Sequence, residues 1–352
     1  MKHIRSLDTY ACSPGTPTRR AMSRLNDSAH LFQLVVDTER RLLGTLTDGD
    51  IRRGLLRGLP LEAPVEECMH TNFVAGRVGC DAENLALLSN NGRQVGFLPV
   101  LDSSGRVVEV LVPDVGEGGI DWALVMAGGF GRRLGERTSQ TPKPLLPVGG
   151  RPILDHVLAN LESSGVRAAY VAVHYLADQI KQFLERRSNR LKISLIEENK
   201  PLGTAGALGK VANLGRSPIL VVNGDVITNV DLGALHTFHV RHGFDATVCV
   251  SRYEVEVPFG VIRRGDDGLF AGLDEKPRIS NFVAAGLYYL SPEFVALVPD
   301  NRPVDMPELL NLGREVGLRI GLFPIHEFWT DVGRPSDLDA ADANPIISRR
   351  GR

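Results

Sequence analysis

Two patterns of apolar and polar positions divide the chain, and they meet at VPDVGEGGIDW (Val112–Trp122). Before that stretch, FQLVV and LLGTL alternate as half-buried strands do, and DTERR separates them as a turn. The segment LFQLVVDTERRLLGTLTDGDIRRGLL (Leu31–Leu56) thus predicts strand, turn, strand and helix, with Asp50 where a helix start is capped. VGFLPVLDSSGRVVEVLVPDVG (Val95–Gly116) repeats the shape with DSSGR as its turn, so an internal duplication is expected.

Beyond the seam, WALVMAG, AAYVAVHY, KISLIEE, PILVVNGD and DATVCV are short apolar runs rich in β-branched residues. PILDHVLANLESSG and ADQIKQFLERR between them carry helical spacing. Alternating strands and helices predict a parallel sheet with crossover helices, whose ligands gather at the carboxyl ends of the strands. FGVIRR, LFAGLDEKP and FVAAGLYYL predict antiparallel strands in the last third, and ADANPIISRRGR predicts a frayed tail.

Composition narrows the function classes. With 352 residues, 43% of them hydrophobic, the chain can bury a sizeable core in two or three domains. Its 40 basic and 42 acidic residues are well mixed, so no nucleic-acid partner is implied. No apolar run approaches the roughly 20 residues of a membrane span, and MKHIRSLDTYACSPG lacks a signal core, so a cytoplasmic location without membrane attachment is expected. Cys12, Cys68, Cys80 and Cys249 form no CxxC pair and read as reduced thiols. His236, His239 and His242 read as one helix face rather than a metal site.

Candidate chemistry concentrates in MAGGFGRRLGERTSQTPKPLLPVGG (Met126–Gly150). No GxxxxGK[ST] occurs, and Gly129-Phe130-Gly131-Arg132-Arg133-Leu134 puts leucine where a dinucleotide loop needs its last glycine. Gly128, Gly129 and Gly131 still allow backbone N–H groups close to a phosphate, with Arg133 and Lys143 adding charge. The bland alternative is a solvated basic turn.

The stretch GGFGRRLGERTSQTPKPLLPVGGRPIL resembles the signature of the sugar-1-phosphate nucleotidylyltransferases, GGxGxRL followed by PKPLxPVxGxP. PLGTAGAL (Pro201–Leu208), VNGD (Val222–Asp225), EKP (Glu275–Pro277) and WTDVGRPSDL (Trp329–Leu338) resemble further landmarks of that family, in its order. The resemblance implies an α/β, Rossmann-like domain with a mixed, mainly parallel sheet. It also implies transfer of a nucleotidyl group from a nucleoside triphosphate, GTP favoured, to a sugar 1-phosphate with release of pyrophosphate. Arg133 and Lys143 would be catalytic, Arg133 holding the departing phosphates and Lys143 neutralising the transferred phosphoryl group. Ala127, Gly128, Gly129, Gly131, Gly203, Thr204 and Gly206 would bind the nucleotide. Asp225 and Asp331 would hold Mg²⁺, a hard cation suited to carboxylates and phosphates. Gly260, Glu275, Lys276 and Ala284 would meet the sugar phosphate. Taken singly, Asp225 also reads as a turn residue and Asp331 as a cap for a helix near Pro335.

Two departures stand out. The family often has Thr where this chain has Arg132, which either strengthens phosphate binding or faces solvent. The family's NAG is here Ala284-Ala285-Gly286, which removes an amide from the sugar site and leaves an amino-hexose, mannose or heptose 1-phosphate open.

In the first half, GTLTDGDIRR resembles the CBS family, whose tandem pairs form a small α/β module that binds adenine nucleotides or other effectors, or serves assembly. The implied effector residues are Thr47 and Asp50, whereas the second copy has Val112 and Val115 at those places. The resulting organisation is a tandem CBS module at 1–115, a linker at 116–121, a nucleotidyltransferase domain at 122–345 and a tail at 346–352. A homo-oligomer is expected. The competing readings are a nucleotide sensor with an inactive transferase domain and a glycosyltransferase, although the latter's DxD motif is replaced here by NGD.

Overall fold

The computed structural model describes all residues except 29, 90–95, 114–118, 189, 212–214, 216, 300–301, 345–346 and 348–352. The chain divides into two units, Met1–Gly118 with His236–Gly243, and Gly119–Leu235 with Phe244–Arg352.

In the first unit, β1 (Lys2–Ile4) and β2 (Ala11–Cys12) precede α1 (Thr18–Asp27). The hairpin β3 (Phe32–Val36) and β4 (Leu42–Thr47) runs into α2 (Asp48–Leu56), as the sequence pattern predicts. After β5 (Gly76–Arg77) and α3 (Asp81–Ser89) come β6 (Leu98–Leu101) and β7 (Val107–Val112), again an antiparallel pair. The two hairpins turn alike. Asp37 accepts the backbone N–H groups of Glu39 and Arg41, and Asp102 accepts those of Ser104 and Arg106. Each aspartate supplies in one side chain the acceptors that a tight turn leaves open. Two sheets result, ordered β2-β3-β4 and β1-β7-β6-β5. The N-terminal MKHI, where no strand is expected from its sequence, closes the second sheet by pairing Lys2–Ile4 with Val112–Val110. Val115 and the start of the expected linker fall outside the described residues.

The second unit is built on a seven-stranded sheet. It begins with β8 (Trp122–Met126), followed by the short pair β9 (Pro147–Val148) and β10 (Arg151–Pro152) and by α4 (Ile153–Ser163). Then come β11 (Ala168–Val173), α5 (Ala177–Arg186), β12 (Lys192–Glu197), the single turn α6 (Gly203–Gly206), β13 (Ile219–Asn223), β14 (Val226–Thr228) and α7 (Leu232–His242), whose residues from His236 on group with the first unit. The last third holds β15 (Ala246–Glu256), β16 (Val261–Arg264), β17 (Phe270–Asp274), β18 (Arg278–Leu290), α8 (Pro292–Val295), α9 (Met306–Glu315), β19 (Ile320–Ile325), β20 (Trp329–Asp331) and α10 (Pro335–Asp342).

The sheet order is β12-β11-β8-β13-β18-β15-β19, parallel except for β18, which runs against β13 and β15. Central β8 is fully buried over Ala123–Val125 because helices cover both faces of a parallel sheet. β12 at the edge is mostly exposed, and α5 buries only Ile180 and Leu184, one turn apart on its inner face. Beyond the core, β15 and β18 continue as an exposed two-stranded arm, with β16 and β17 paired antiparallel as expected.

The stretch expected to fray differs from its expectation where it is described. Ala341 is buried within α10, and Asp342 accepts the N–H of Gly149. Ile347 is 2% exposed and belongs to one apolar cluster with Val148, Ile153 and Val332. Burial of an isoleucine side chain outweighs the fraying that polar neighbours suggest. The rest of the expected tail lies outside the described residues.

Arg187, just past α5, donates to Asp155 at 2.6 Å and to Glu162 at 2.7 Å, both on α4. Burial pushes the Asp155 carboxyl up, but the hydrogen bonds from Arg187 and Arg151 outweigh it and hold it below its ordinary value. Arg187 likewise holds Glu162 down. Depressed acids stabilise the fold above their unfolded range, and that stability is lost as pH falls through their folded values. Arg187→Met should cost about 2 kcal/mol at neutral pH in urea unfolding. The deficit should shrink as pH falls below the ordinary carboxylate range.

Candidate active site

The parallel register places three loops side by side. Val125 and Met126 of β8 align with Val171 and Ala172 of β11 and with Val222 and Asn223 of β13. The ladder runs one residue beyond the strands: Ala127 donates to Ala172, Gly224 to Met126 and Glu198 to Val173, each at 2.9 Å. The glycine loop after β8 therefore lies beside Asp225 after β13, and His174 and Glu198 stand at the ends of β11 and β12.

Gly224 is required by this approach. A Cβ there would lie 2.6 Å from the Met126 carbonyl oxygen, closer than any side chain tolerates. The loop itself turns through Gly131, whose φ of 66° belongs to the left-handed region. Thr138 ties the loop by donating to the carbonyls of Gly131 and Gly135. From the end of β11, the Tyr175 hydroxyl donates to Thr138 and Ser139.

Lys143 follows in a short 3₁₀ turn and is buried. Its Nζ donates to Asp225 Oδ2 at 2.5 Å. Asp331 reaches the same place from about a hundred residues away, because β20 pairs with β14 and sets Asp331 opposite Val226. Val332 donates to the Asp225 carbonyl, and Trp329 Nε1 donates to Ala285 and pins β20 to β18. Asp331 therefore ends a strand and is not the helix cap it also resembles, since Arg334 and Asp337 begin α10. Burial raises the Asp331 carboxyl, and the neighbouring Asp225 adds to that rise against Lys143 and Arg133. Its Oδ1 is buried and has no hydrogen-bond partner.

A cavity of about 460 Å³ opens over these groups, lined by Gly129, Phe130, Gly131, Arg132, Arg133, Lys143, Asp225 and Gly333. Arg133 and the Asp331 carboxylate flank Gly333: a Cβ there would lie 3.4 Å from Arg133 Nη1 and 3.6 Å from either Asp331 oxygen. Three cations and the Asp225 carboxylate around one opening, with Asp331 beside it, suit a polyphosphate with a hard divalent cation. Among the described residues no cluster of three or more His, Cys, Asp or Glu side chains could hold a metal.

The remaining candidates lie apart from the lining. Gly203 takes φ 79°, and a Cβ there would meet the Val304 carbonyl at 2.5 Å. Thr204 is engaged: its hydroxyl donates to Asp305 and accepts from the N–H of Met306, at the start of α9. Gly206 is buried against Leu202. Gly260 lies against Glu275, a Cβ there being 3.0 Å from Oε2, while Lys276 takes φ 45° on the same exposed arm. Ala284 is exposed on β18 opposite Val250.

Glu198 is missed by sequence reasoning, which sees only acids at a strand end. It is 8% exposed, and burial raises its carboxyl above the ordinary range. Oε2 accepts from Leu202 at 3.4 Å, and Oε1 is buried without a partner. The Gly128 backbone closes on it, a Cβ there lying 3.5 Å from Oε2. The available signal is its position, one residue past a parallel strand and just before PLGTAGAL.

In the first unit, Thr47 and Asp50 form a closed capping box at the start of α2. Thr47 Oγ1 donates to Asp50 Oδ2 at 2.6 Å, and Arg53 takes the other carboxylate oxygen. A ribose at this place would compete with an intact helix cap.

Residues 122–345 match the nucleotidyl transferase family model. The chain belongs to the nucleotidyl transferase family. Residues 2–57 match the CBS domain model. Within the family, the chain is 34% identical over 224 residues to the mannose-1-phosphate guanylyltransferase catalytic subunit beta of Danio rerio, covering 61% of this chain and 62% of that protein. It is 31% identical over 224 residues to the mannose-1-phosphate guanyltransferase of Schizosaccharomyces pombe, covering 61% of each. The chain thus spans about three fifths of the length of these curated relatives. A Bacillus anthracis structure assigned as a glucose-1-phosphate thymidylyltransferase aligns with a TM-score of 0.51 at 23% identity, over 64% of this chain and 94% of that one, a likeness of fold. No helix among the described residues is long and apolar enough to cross a membrane.

Because Gly224 lets two strand ends meet, Gly224→Ala should force β13 away from β8 and displace Asp225. The expected cost is about 2 kcal/mol in urea unfolding. An unchanged midpoint would show that the strand ends do not need the contact.

Proposed function

We propose that the chain transfers a guanylyl group from GTP to a sugar 1-phosphate, forming a GDP-sugar and releasing pyrophosphate. The observation that carries this reading is the convergence of Arg133, Lys143 and Asp225 on one glycine-lined cavity, with Asp331 beside Asp225 behind Gly333. A phosphate oxygen of the sugar 1-phosphate attacks the α-phosphorus, the bond to the α,β-bridging oxygen breaks, and pyrophosphate leaves on the opposite side. Such a displacement needs alignment and charge neutralisation more than a strong base.

Lys143 meets the charge on the transferred phosphoryl group, held in place by its bond to Asp225. Arg133, exposed at the cavity mouth, faces the leaving phosphates. The carboxylates of Asp225 and Asp331 fit Mg²⁺: both are hard oxygen donors, and the buried Asp331 Oδ1 lacks any protein partner. Bound by these carboxylates, Mg²⁺ would neutralise phosphate charge. Asp225→Asn removes one ligand and the anchor of Lys143, and should lower kcat/KM about 10³-fold by pyrophosphate release. Undiminished turnover would take Asp225 out of the site.

The choice of base rests on Glu198. Guanine presents two adjacent donors on its pairing edge, N1–H and the 2-amino group, which a carboxylate accepts together. Adenine offers one donor beside an acceptor, and uracil one donor between two acceptors. A buried, singly satisfied carboxyl beside Gly128 therefore favours guanine, in keeping with relatives named for guanylyl transfer. Glu198→Gln puts an N–H₂ opposite a guanine donor, and should cut the GTP-over-UTP ratio about 10²-fold. A retained ratio would remove Glu198 from base selection.

The relatives' names make mannose 1-phosphate the leading sugar, and Ala284 keeps amino-hexose and heptose 1-phosphates in the panel. The deciding experiment is a matrix of four nucleoside triphosphates against these sugar phosphates, with and without Mg²⁺, read by pyrophosphate release. Silence across the whole matrix would leave a nucleotide sensor as the reading. Adding adenine nucleotides to the same assay tests an effector role for the N-terminal unit.

A further inference from the structure

The cavity lining carries three cations, Arg132, Arg133 and Lys143, against the single carboxylate of Asp225. Lys143 is paired with Asp225, and Arg133 stands across Gly333 from Asp331. Arg132 also lines the cavity, yet among the described residues no carboxylate lies within ion-pair distance of it. Instead its guanidinium sits over the Phe130 ring, 5.1 Å from the centroid. That ring is itself fixed. It meets His174 edge-on at 5.6 Å and leans on Tyr175 at 5.4 Å, and Tyr175 is bonded to the loop backbone. A cation held on an aromatic face is positioned without being neutralised, so its charge remains available to a ligand.

We propose that Arg132, perched on Phe130, is a third phosphate-binding cation that grips the terminal phosphates of the nucleoside triphosphate and retains pyrophosphate after transfer. The inference rests on the triphosphate reading of the cavity given above. The chemistry favours the terminal phosphates. Lys143 and Asp225 are set at the floor, whereas Phe130 and Arg132 are exposed at the rim, where the most highly charged end of the ligand meets solvent. As the α-phosphorus bond breaks, the departing group gains negative charge, and a guanidinium already desolvated on one face by the ring can form two parallel hydrogen bonds to it. The same contact opposes release, so Arg132 should strengthen product inhibition.

The test compares the full chain with Arg132→Thr, Arg132→Lys and Phe130→Leu, in calorimetric titrations with Mg²⁺ and pyrophosphate, GTP or GMP. Arg132→Thr should weaken pyrophosphate and GTP about tenfold and leave GMP unchanged. Arg132→Lys keeps the charge but loses the flat stack, and should fall between; Phe130→Leu should lose part of the same affinity. In steady-state kinetics, inhibition by pyrophosphate should weaken by a similar factor in Arg132→Thr. Equal affinities for pyrophosphate in wild type and Arg132→Thr would overturn the proposal. So would an equal loss for GMP, which would mark a general field effect. Pyrophosphate binding needs neither the right base nor the right sugar. A wild type that binds pyrophosphate through Arg132 but turns over no substrate pair therefore refutes the proposed function and upholds this contact, whereas a wild type that binds pyrophosphate no better than GMP refutes the contact.

Discussion

The second unit turns on a backbone contact that leaves no room for a side chain. Gly224 donates to the Met126 carbonyl at 2.9 Å, one residue past the ends of two parallel strands. Through it the glycine loop after β8 and the carboxylate after β13 share one floor. The short pairing of β14 with β20 then carries Asp331 to the same point. Everything chemical in the site follows from those two pairings, because neither Lys143 nor Asp331 is near Asp225 in sequence. The cost is electrostatic: two carboxylates are crowded together, and burial with mutual repulsion raises Asp331. Lys143 offsets part of that cost at Asp225, while the buried Asp331 Oδ1 has no hydrogen-bond partner.

The fold was legible where pattern and burial agree. WALVMAG, AAYVAVHY and PILVVNGD read as buried parallel strands because both faces of each are covered, and they are. FVAAGLYYL read as antiparallel, and β18 runs against both neighbours. What local pattern does not encode was lost. MKHI became a strand only because β7, far along the chain, offers an open edge. Ile347 is buried because of Val148 and Val332, neither of them its neighbour in sequence.

The site divides along the same line. Arg133, Lys143, Asp225 and Asp331 were legible as parts of a signature, and the register explains why those parts must converge. Thr204 and the Thr47–Asp50 pair show the limit, since their side chains also build helix starts, of α9 and α2. One oxygen can serve a cap and a ligand only in turn. Glu198 escaped because an acid at a strand end resembles any solvated acid until its burial is known. Charge on a sequence says nothing of solvent.

Leu134, Leu146, Ile227 and Val332 belong to one apolar cluster, and each lies within three residues of Arg133, Lys143, Asp225 or Asp331. Those four side chains are therefore outriggers on a single hull. A void opened under one of them tilts all four, so their spacing behaves as one inherited dimension rather than four adjustable ones. Variation that retunes the chemistry has to come from the rim, at residues such as Arg132 and Phe130, or from the exposed arm, where a substitution leaves the hull level.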